Sequence, residues 1–231
     1  MKINTRDNSC EESEFYGVGI EHLSLEEKAI LDANKKSIRY SAGEVIIKQN
    51  AFLDHIFYLK KGLLKVVVET ENQRKIILEI ISKNQFIGLS AIFMADFSPI
   101  SVVALSECHV CQIRKITLNE LLSRNKLFSE TVLREGGKEF RSLYGKITSL
   151  GLRNSHGRLS EVLLYLASEQ FSHVDIYSFL SRKELAELAV ISTESMNKIL
   201  KELKNDLIIE IDDKKISLVR PDLLERISRV G

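Results

Sequence analysis

Apolar residues recur at helical spacing in the stretch SRKELAELAVISTESMNKILKEL (181–203). Leu185, Leu188 and Ala189 form one stripe, and Met196, Ile199, Leu200 and Leu203 form another, each marking a helix with one buried face. Ser181 with Glu184 three residues on makes a capping box that opens the first helix, and Ser192 is an N-cap type that opens the second. Thr193, Glu194, Asn197, Lys198 and Lys201 lie away from the apolar stripe, mostly on the first two turns. The next segment, DLIIEIDDKKISLV (206–219), reads as strand, turn and strand. A helix pair alone would suit any amphipathic hairpin with a solvated face. A helix pair followed at once by a β-hairpin predicts a winged helix-turn-helix, whose second helix offers its polar N-terminal end to the major groove.

Upstream, the pattern changes period. A short helix is predicted from about Ser24 to Ala33. Then come β-rich runs: VIIK (45–48), HIFYLK (55–60), LLKVVVET (63–70), KIILEII (75–81), QFIG (85–88), ISVVAL (100–105) and CHVCQI (108–113). Strands so closely spaced predict a sandwich, barrel or roll, and suit a jelly roll around a small cavity. Gly62 falls where a hairpin turn is needed and can take a positive φ there without strain. Thr117 and Glu120 read as a capping box opening TLNELLSRN, and a long helix is predicted from about Phe128 to Leu152. In it Leu133, Phe140 and Ile147 recur every seven residues, with Leu143 and Leu150 three residues after Phe140 and Ile147, a short seam for pairing two subunits. Packing of that helix on its own domain is the alternative. Gly136 stands in the seam beside Gly137, where close helix approach and a kink are expected. The polar segment GLRNSHG (151–157) marks a boundary, followed by a helix from His156 to Ser168, loop plus a short strand over 169–179, and a last helix opened by Pro221. The fold class is α+β: a tail over 1–20, a sensory β-roll over 21–124, a dimerisation helix over 125–152 and a winged helix-turn-helix over 153–231.

The net charge of +1 supplies no global basic field, so any affinity for DNA rests on a local patch. The chain shows no apolar run of membrane-spanning length and a polar N-terminus unlike a signal peptide. The odd cysteine count, Cys10, Cys108 and Cys111, argues against a disulfide framework and for a reducing cytoplasm. Cys108 and Cys111, three apart on a strand, point to opposite faces, one expected buried and the other half-exposed. His22, His55, His109, His156 and His173 lack metal-ligand spacing, so no metal is expected; a histidine ligand to haem is the one cofactor alternative. No nucleophile–base pair or Gly-rich phosphate loop supports an enzyme.

Roll, self-complementary helix and winged helix-turn-helix, in that order, resemble the Crp/Fnr family of bacterial transcription regulators. The resemblance covers nearly the whole chain past about residue 20 and rests on Gly43-Glu44, Leu59-Lys60-Lys61-Gly62, Phe86-Ile87-Gly88 and the helix-turn-helix with Ile191-Ser192-Thr193-Glu194-Ser195. It implies a homodimeric regulator that binds double-stranded DNA and RNA polymerase, with a roll that senses a small-molecule effector. The DNA-binding residues it points to are Ser181, Lys183, Ser192, Thr193, Glu194, Ser195, Asn197, Lys198 and Lys201. The effector pocket would be built from Gly88, Leu89, Ser90, Ile100 and Ser101, with Phe86, Ile92, Phe93 and Phe97 as side chains that fill an effector-free roll.

Two departures narrow this expectation. Leu89 stands where the family's cyclic-nucleotide sensors carry a Glu, and Pro99-Ile100 where they carry an Arg-Ser pair, so cyclic AMP is not expected to bind tightly. Three cysteines cannot ligate a four-cysteine iron–sulfur cluster within one subunit. Val190 lies where a turn glycine is frequent in the family, which leaves the turn conformation open. The competing readings are a signalling module whose helical domain contacts protein, and a haem-dependent gas-sensing regulator.

Overall fold

The computed structural model describes residues 19–72, 74–89 and 97–231. Cys10, Ser90, Ile92 and Phe93 lie outside the described residues, as does most of the expected N-terminal tail. Ser24 and Glu27 exchange capping-box hydrogen bonds and start α1 (Leu25–Ala33). Eight strands follow: β1 (Lys35–Tyr40), β2 (Val45–Ile47), β3 (His55–Lys61), β4 (Leu64–Glu69), β5 (Lys75–Ile81), β6 (Gln85–Ile87), β7 (Ser101–Ala104) and β8 (Cys108–Arg114). They form two antiparallel sheets, ordered β1-β8-β3-β6 and β2-β7-β4-β5. β1 is absent from the sequence-based expectation. Its segment KKSIRY has no aliphatic run, and it is a sheet edge paired only with β8.

The two sheets close on one apolar layer that includes Phe57, Leu59, Leu64, Val66, Val102 and Val110. Phe86 is not in that layer. It lies on the helix-facing side, edge-on to Tyr58 with ring centroids 5.2 Å apart. Phe97 is 60 % exposed and lies edge-on to Phe52, with ring centroids 6.0 Å apart. Alternation along β8 sends Cys108 and Val110 inward and Cys111 and Ile113 toward the helices. Both thiols are buried, so the expectation of one half-exposed cysteine is corrected: β8 is covered on both faces. Burial pushes the Cys108 thiol up, despite its hydrogen bonds to the Leu63 and Ser106 carbonyls.

Gly62 makes the β3–β4 turn with φ 103°. A Cβ there would stand 2.5 Å from the Glu107 carbonyl oxygen and 2.6 Å from Cys108 Sγ. Conformation and space therefore both demand glycine. Gly62→Ala is expected to destabilise the chain by about 3 kcal/mol, a fall in Tm of roughly 10 °C by calorimetry. A change of less than about 2 °C would contradict this packing.

The next helices are α2 (Lys115–Arg124) and α3 (Lys126–Leu152). The Thr117–Glu120 capping box does not form. α2 starts two residues earlier after Arg114, and Thr117 is buried. Asn125 caps α3 instead, accepting from Phe128 N at 3.0 Å. α3 runs unbroken through Gly136 and Gly137. Gly136 faces the chain's own roll, where a Cβ would lie 4.0 Å from Leu89, so the close approach expected there is internal.

The GLRNSHG segment is mostly helical. Only Arg153 and Asn154 separate α3 from α4 (Ser155–Leu166). The Asn154 side chain caps α4 by accepting from His156 N and Gly157 N. Residues 169–179 form two 3-10 turns, Glu169–Phe171 and Ile176–Phe179, where a short strand was expected. The chain closes with α5 (Arg182–Ala189), α6 (Thr193–Asn205), the hairpin β9 (Ile209–Asp212) and β10 (Lys215–Leu218), and α7 (Pro221–Val230).

Candidate nucleic-acid interface

Local signals build the helix pair as read from the sequence. Ser181 and Glu184 form the capping box of α5, and Ser192 Oγ accepts from Ser195 N at 3.0 Å to cap α6. The apolar faces meet in one core: Leu185, Ala186, Leu188 and Ala189 of α5, with Met196, Ile199, Leu200 and Leu203 of α6. Between the helices Val190 holds φ 51° and ψ 50°. A β-branched residue enters that left-handed region at roughly 1–2 kcal/mol, so the surroundings must hold it there.

Two cations do so. Arg158 on α4 donates to the Ala189 carbonyl at 3.1 Å and to the Val190 carbonyl at 3.4 Å. Lys146 on α3 donates to the Leu188 carbonyl. Positive groups at a helix C-terminus satisfy its unpaired carbonyls and complement its dipole. Burial lowers the Lys146 ammonium to about 8. Sequence reasoning missed both residues, because no local period links positions 146 and 158 to a turn at 190. Lys146 and Arg158 also line a cavity of about 160 Å³ between β5, α3, α4 and α5.

The polar end of α6 is open. Thr193, Glu194, Asn197, Lys198 and Lys201 are exposed, and so is Lys183 on α5. The two serines that cap the helices are occupied in doing so. Ser181 Oγ donates to Glu184 at 2.7 Å, and Ser192 Oγ donates to Ser195 Oγ at 2.9 Å. Ser195 is half-buried. His156 Nε2 meets Glu202 at 2.8 Å and ties α6 back to α4. The wing turns at Asp213, whose φ is 49°, and presents exposed Lys214 and Lys215 on the same domain. These two lysines are not among the contacts expected from the sequence.

On α3 the five seam residues Leu133, Phe140, Leu143, Ile147 and Leu150 are 40–57 % exposed, and Tyr144 and Leu152 extend the stripe. Phe128, Val132, Gly136 and Ser149 occupy the opposite, buried side.

Of the effector-pocket residues, Gly88, Leu89, Ile100 and Ser101 are described, and Leu89 and Ile100 pack in different layers. Gly88 is buried with φ 80°. Leu89 packs on the helix side with Tyr58, Phe86 and Val132, and its N–H donates to Glu139 at 3.2 Å. Ile100 packs against the inter-sheet layer, and Ser101 Oγ accepts from Gln49 N at 2.9 Å. Among the described residues, no group of three or more His, Cys, Asp or Glu side chains is arranged to hold a metal, and no helix is long and apolar enough to cross a membrane.

Residues 37–125 match the model of the cyclic nucleotide-binding domain, and residues 157–227 match that of the Crp-like helix-turn-helix domain. The chain belongs to the Crp/Fnr family. Among its relatives is the cAMP-activated global transcriptional regulator CRP of Pasteurella multocida, 23 % identical over 182 residues that cover 77 % of this chain and 87 % of that protein. The anaerobic regulatory protein of Bacillus subtilis is 23 % identical over 185 residues, 78 % of each chain. FixK2 from Bradyrhizobium japonicum shares the fold with a TM-score of 0.74 at 14 % identity, over 84 % of this chain and 96 % of its own. The c-di-GMP responsive global regulator CLP from Xanthomonas campestris gives 0.73 at 20 % identity, over 84 % and 99 %. This Crp/Fnr chain is therefore a DNA-binding transcription regulator, from a family that is dimeric.

Proposed function

We propose that this Crp/Fnr protein acts in the cytoplasm as a homodimer on an inverted-repeat operator. The observation that carries this reading is the division of α6 into a fully buried apolar face and an exposed polar tip from Thr193 to Lys198. In the major groove, Glu194 would accept from a cytosine N4 amine, and Lys198 would donate to guanine O6 or N7. Thr193, Ser195, Asn197 and Lys201 would contact bases or phosphates, and Lys183 and Ser181 phosphates. The exposed stripe on α3 supports pairing of two copies along Leu133, Phe140, Leu143, Ile147 and Leu150. Residues 21–124 would then sense the signal, 125–152 join the subunits and 153–231 bind DNA. RNA polymerase is the protein partner at the promoter, and the proposal includes neither a metal nor haem.

The test is a mobility shift with duplexes selected from random inverted repeats, repeated across salt. Specific binding that falls steeply with salt is expected. Binding that ignores salt would favour the reading in which the helical domain contacts protein.

Cyclic AMP is not the effector in this proposal. Leu89 cannot accept from a ribose hydroxyl, and Pro99-Ile100 offers a phosphate no cation; Leu89 is also buried against α3, with its N–H engaged by Glu139. Calorimetry of the full chain with cyclic AMP is expected to show no binding at micromolar concentrations. A micromolar or tighter Kd would overturn this assignment and make the roll a nucleotide sensor.

A further inference from the structure

Among the described residues, β5 is the outer strand of its sheet, so one row of its backbone groups has no described strand to pair with. At Ile80 that row is taken by the DNA-binding half of the chain. The Tyr165 hydroxyl accepts from the Ile80 N–H at 3.1 Å and donates to the Ile80 carbonyl at 2.8 Å. One hydroxyl thereby does what a neighbouring strand residue would do. Gln170 Nε2 donates to the same carbonyl at 3.2 Å. The Tyr165 ring is held edge-on to Phe171, with centroids 5.3 Å apart.

The clamp sits in a continuous core. Leu63, Val67, Ile77, Ile80 and Leu105 of the roll pack in one cluster with the apolar residues of α4, α5 and α6. A second polar tie lies beside it. Lys65 on β4 pairs with Glu184, the same carboxylate that closes the capping box of α5, and the two side chains are 20 % and 18 % exposed. The first helix of the helix-turn-helix is thus held at its N-terminus by the roll and at its C-terminus by Lys146 of α3. The covalent link between α3 and α4 is only Arg153-Asn154, which fixes a pivot point but not an angle.

We infer that Tyr165 is a positioning residue for operator binding. Its two-way bond to Ile80 seats the DNA-binding domain on the roll's sheet edge and so sets the half-site spacing the dimer accepts. The inference rests on the DNA-binding reading above and deepens it. Base-edge contacts choose the half-site sequence, and the edge clamp chooses the separation.

The experiment uses the full chain and its Tyr165→Phe variant, which keeps the ring and its contact with Phe171. Affinity is measured for the selected inverted repeat and for the same half-sites one base pair closer and one base pair farther apart. Amide hydrogen exchange is followed at Ile80. Wild type is expected to prefer one spacing. In Tyr165→Phe that preference should shrink by about tenfold, and Ile80 exchange should quicken by at least about tenfold. Gln170→Ala, at a half-buried site, should move both readouts the same way by a smaller factor. An unchanged spacing preference in both variants, or a loss equal at all three spacings, would overturn the positioning role and leave the DNA-binding reading standing. No specific duplex binding by wild type would overturn both. The spacing readout separates positioning from a structural role, since general weakening of the fold lowers all three affinities together.

Discussion

A protein carrying Glu194→Ala and Lys198→Ala together is expected to bind its selected inverted repeat about 30- to 1000-fold more weakly than wild type. That factor corresponds to roughly 2–4 kcal/mol, from base-edge contacts worth about 1–3 kcal/mol each. Both side chains are exposed, and the apolar positions that hold α6, Met196, Ile199, Leu200 and Leu203, are untouched. The variant should therefore fold and dimerise as wild type does. Its residual binding should resemble the sequence-independent binding of wild type, because Lys183, Lys201 and the wing lysines, the proposed phosphate contacts, are kept. The measurement is a competition mobility shift, with specific and scrambled duplexes at one fixed salt concentration. Specific binding as strong as wild type would refute the base-reading roles.

Charging the α3 seam should have an effect of similar size by a different route. The Phe140→Glu, Ile147→Glu variant is expected to sediment as a monomer at micromolar concentration, where wild type is expected to sediment as the proposed dimer. In a paired seam each carboxylate would be buried against an apolar partner, and an unpaired buried charge costs several kcal/mol per site. Within one chain the same positions are 47 % and 57 % exposed, so the substitution asks little of the fold itself. Operator affinity should drop at least about 100-fold, because two linked half-sites bind far more tightly than one. A variant that remains dimeric at submicromolar concentration would move the subunit contact away from α3.

Much of the fold is legible where the deciding interactions lie within a few residues. The caps at Ser181 and Ser192 form as their sequences predict, since each side chain reaches the amide three residues on. The expected β-runs are strands, because their apolar positions are covered on one face or both. Cues fail when a stronger tertiary demand competes. Thr117 does not cap a helix, because α2 begins two residues earlier and buries it. The strand expected within 169–179 is a pair of 3-10 turns, with Phe171, Ile176 and Tyr177 buried as anchors in the domain core. In β1, a charged edge segment is a strand because β8 supplies its hydrogen bonds.

For the site, the exposed face of α6 could be read from the helical period alone, because a 3.6-residue repeat sorts side chains into buried and open whatever the helix packs on. What holds that face in place could not. Val190 keeps its left-handed turn because Arg158 reaches its carbonyl from 32 positions away in the chain, and Tyr165 closes the edge of β5 across 85 positions. Leu89, which stands where a ligand-binding residue was expected, is turned onto α3 by its packing. The sequence by itself determined the helix pair, its caps and the exposed polar end of α6, since these rest on short-range periodicity and capping, and the order of its motifs carried the family resemblance. Only the tertiary structure decided how that tip is aimed, because aim depends on hydrogen bonds between segments that share no local pattern and meet only after the chain has folded.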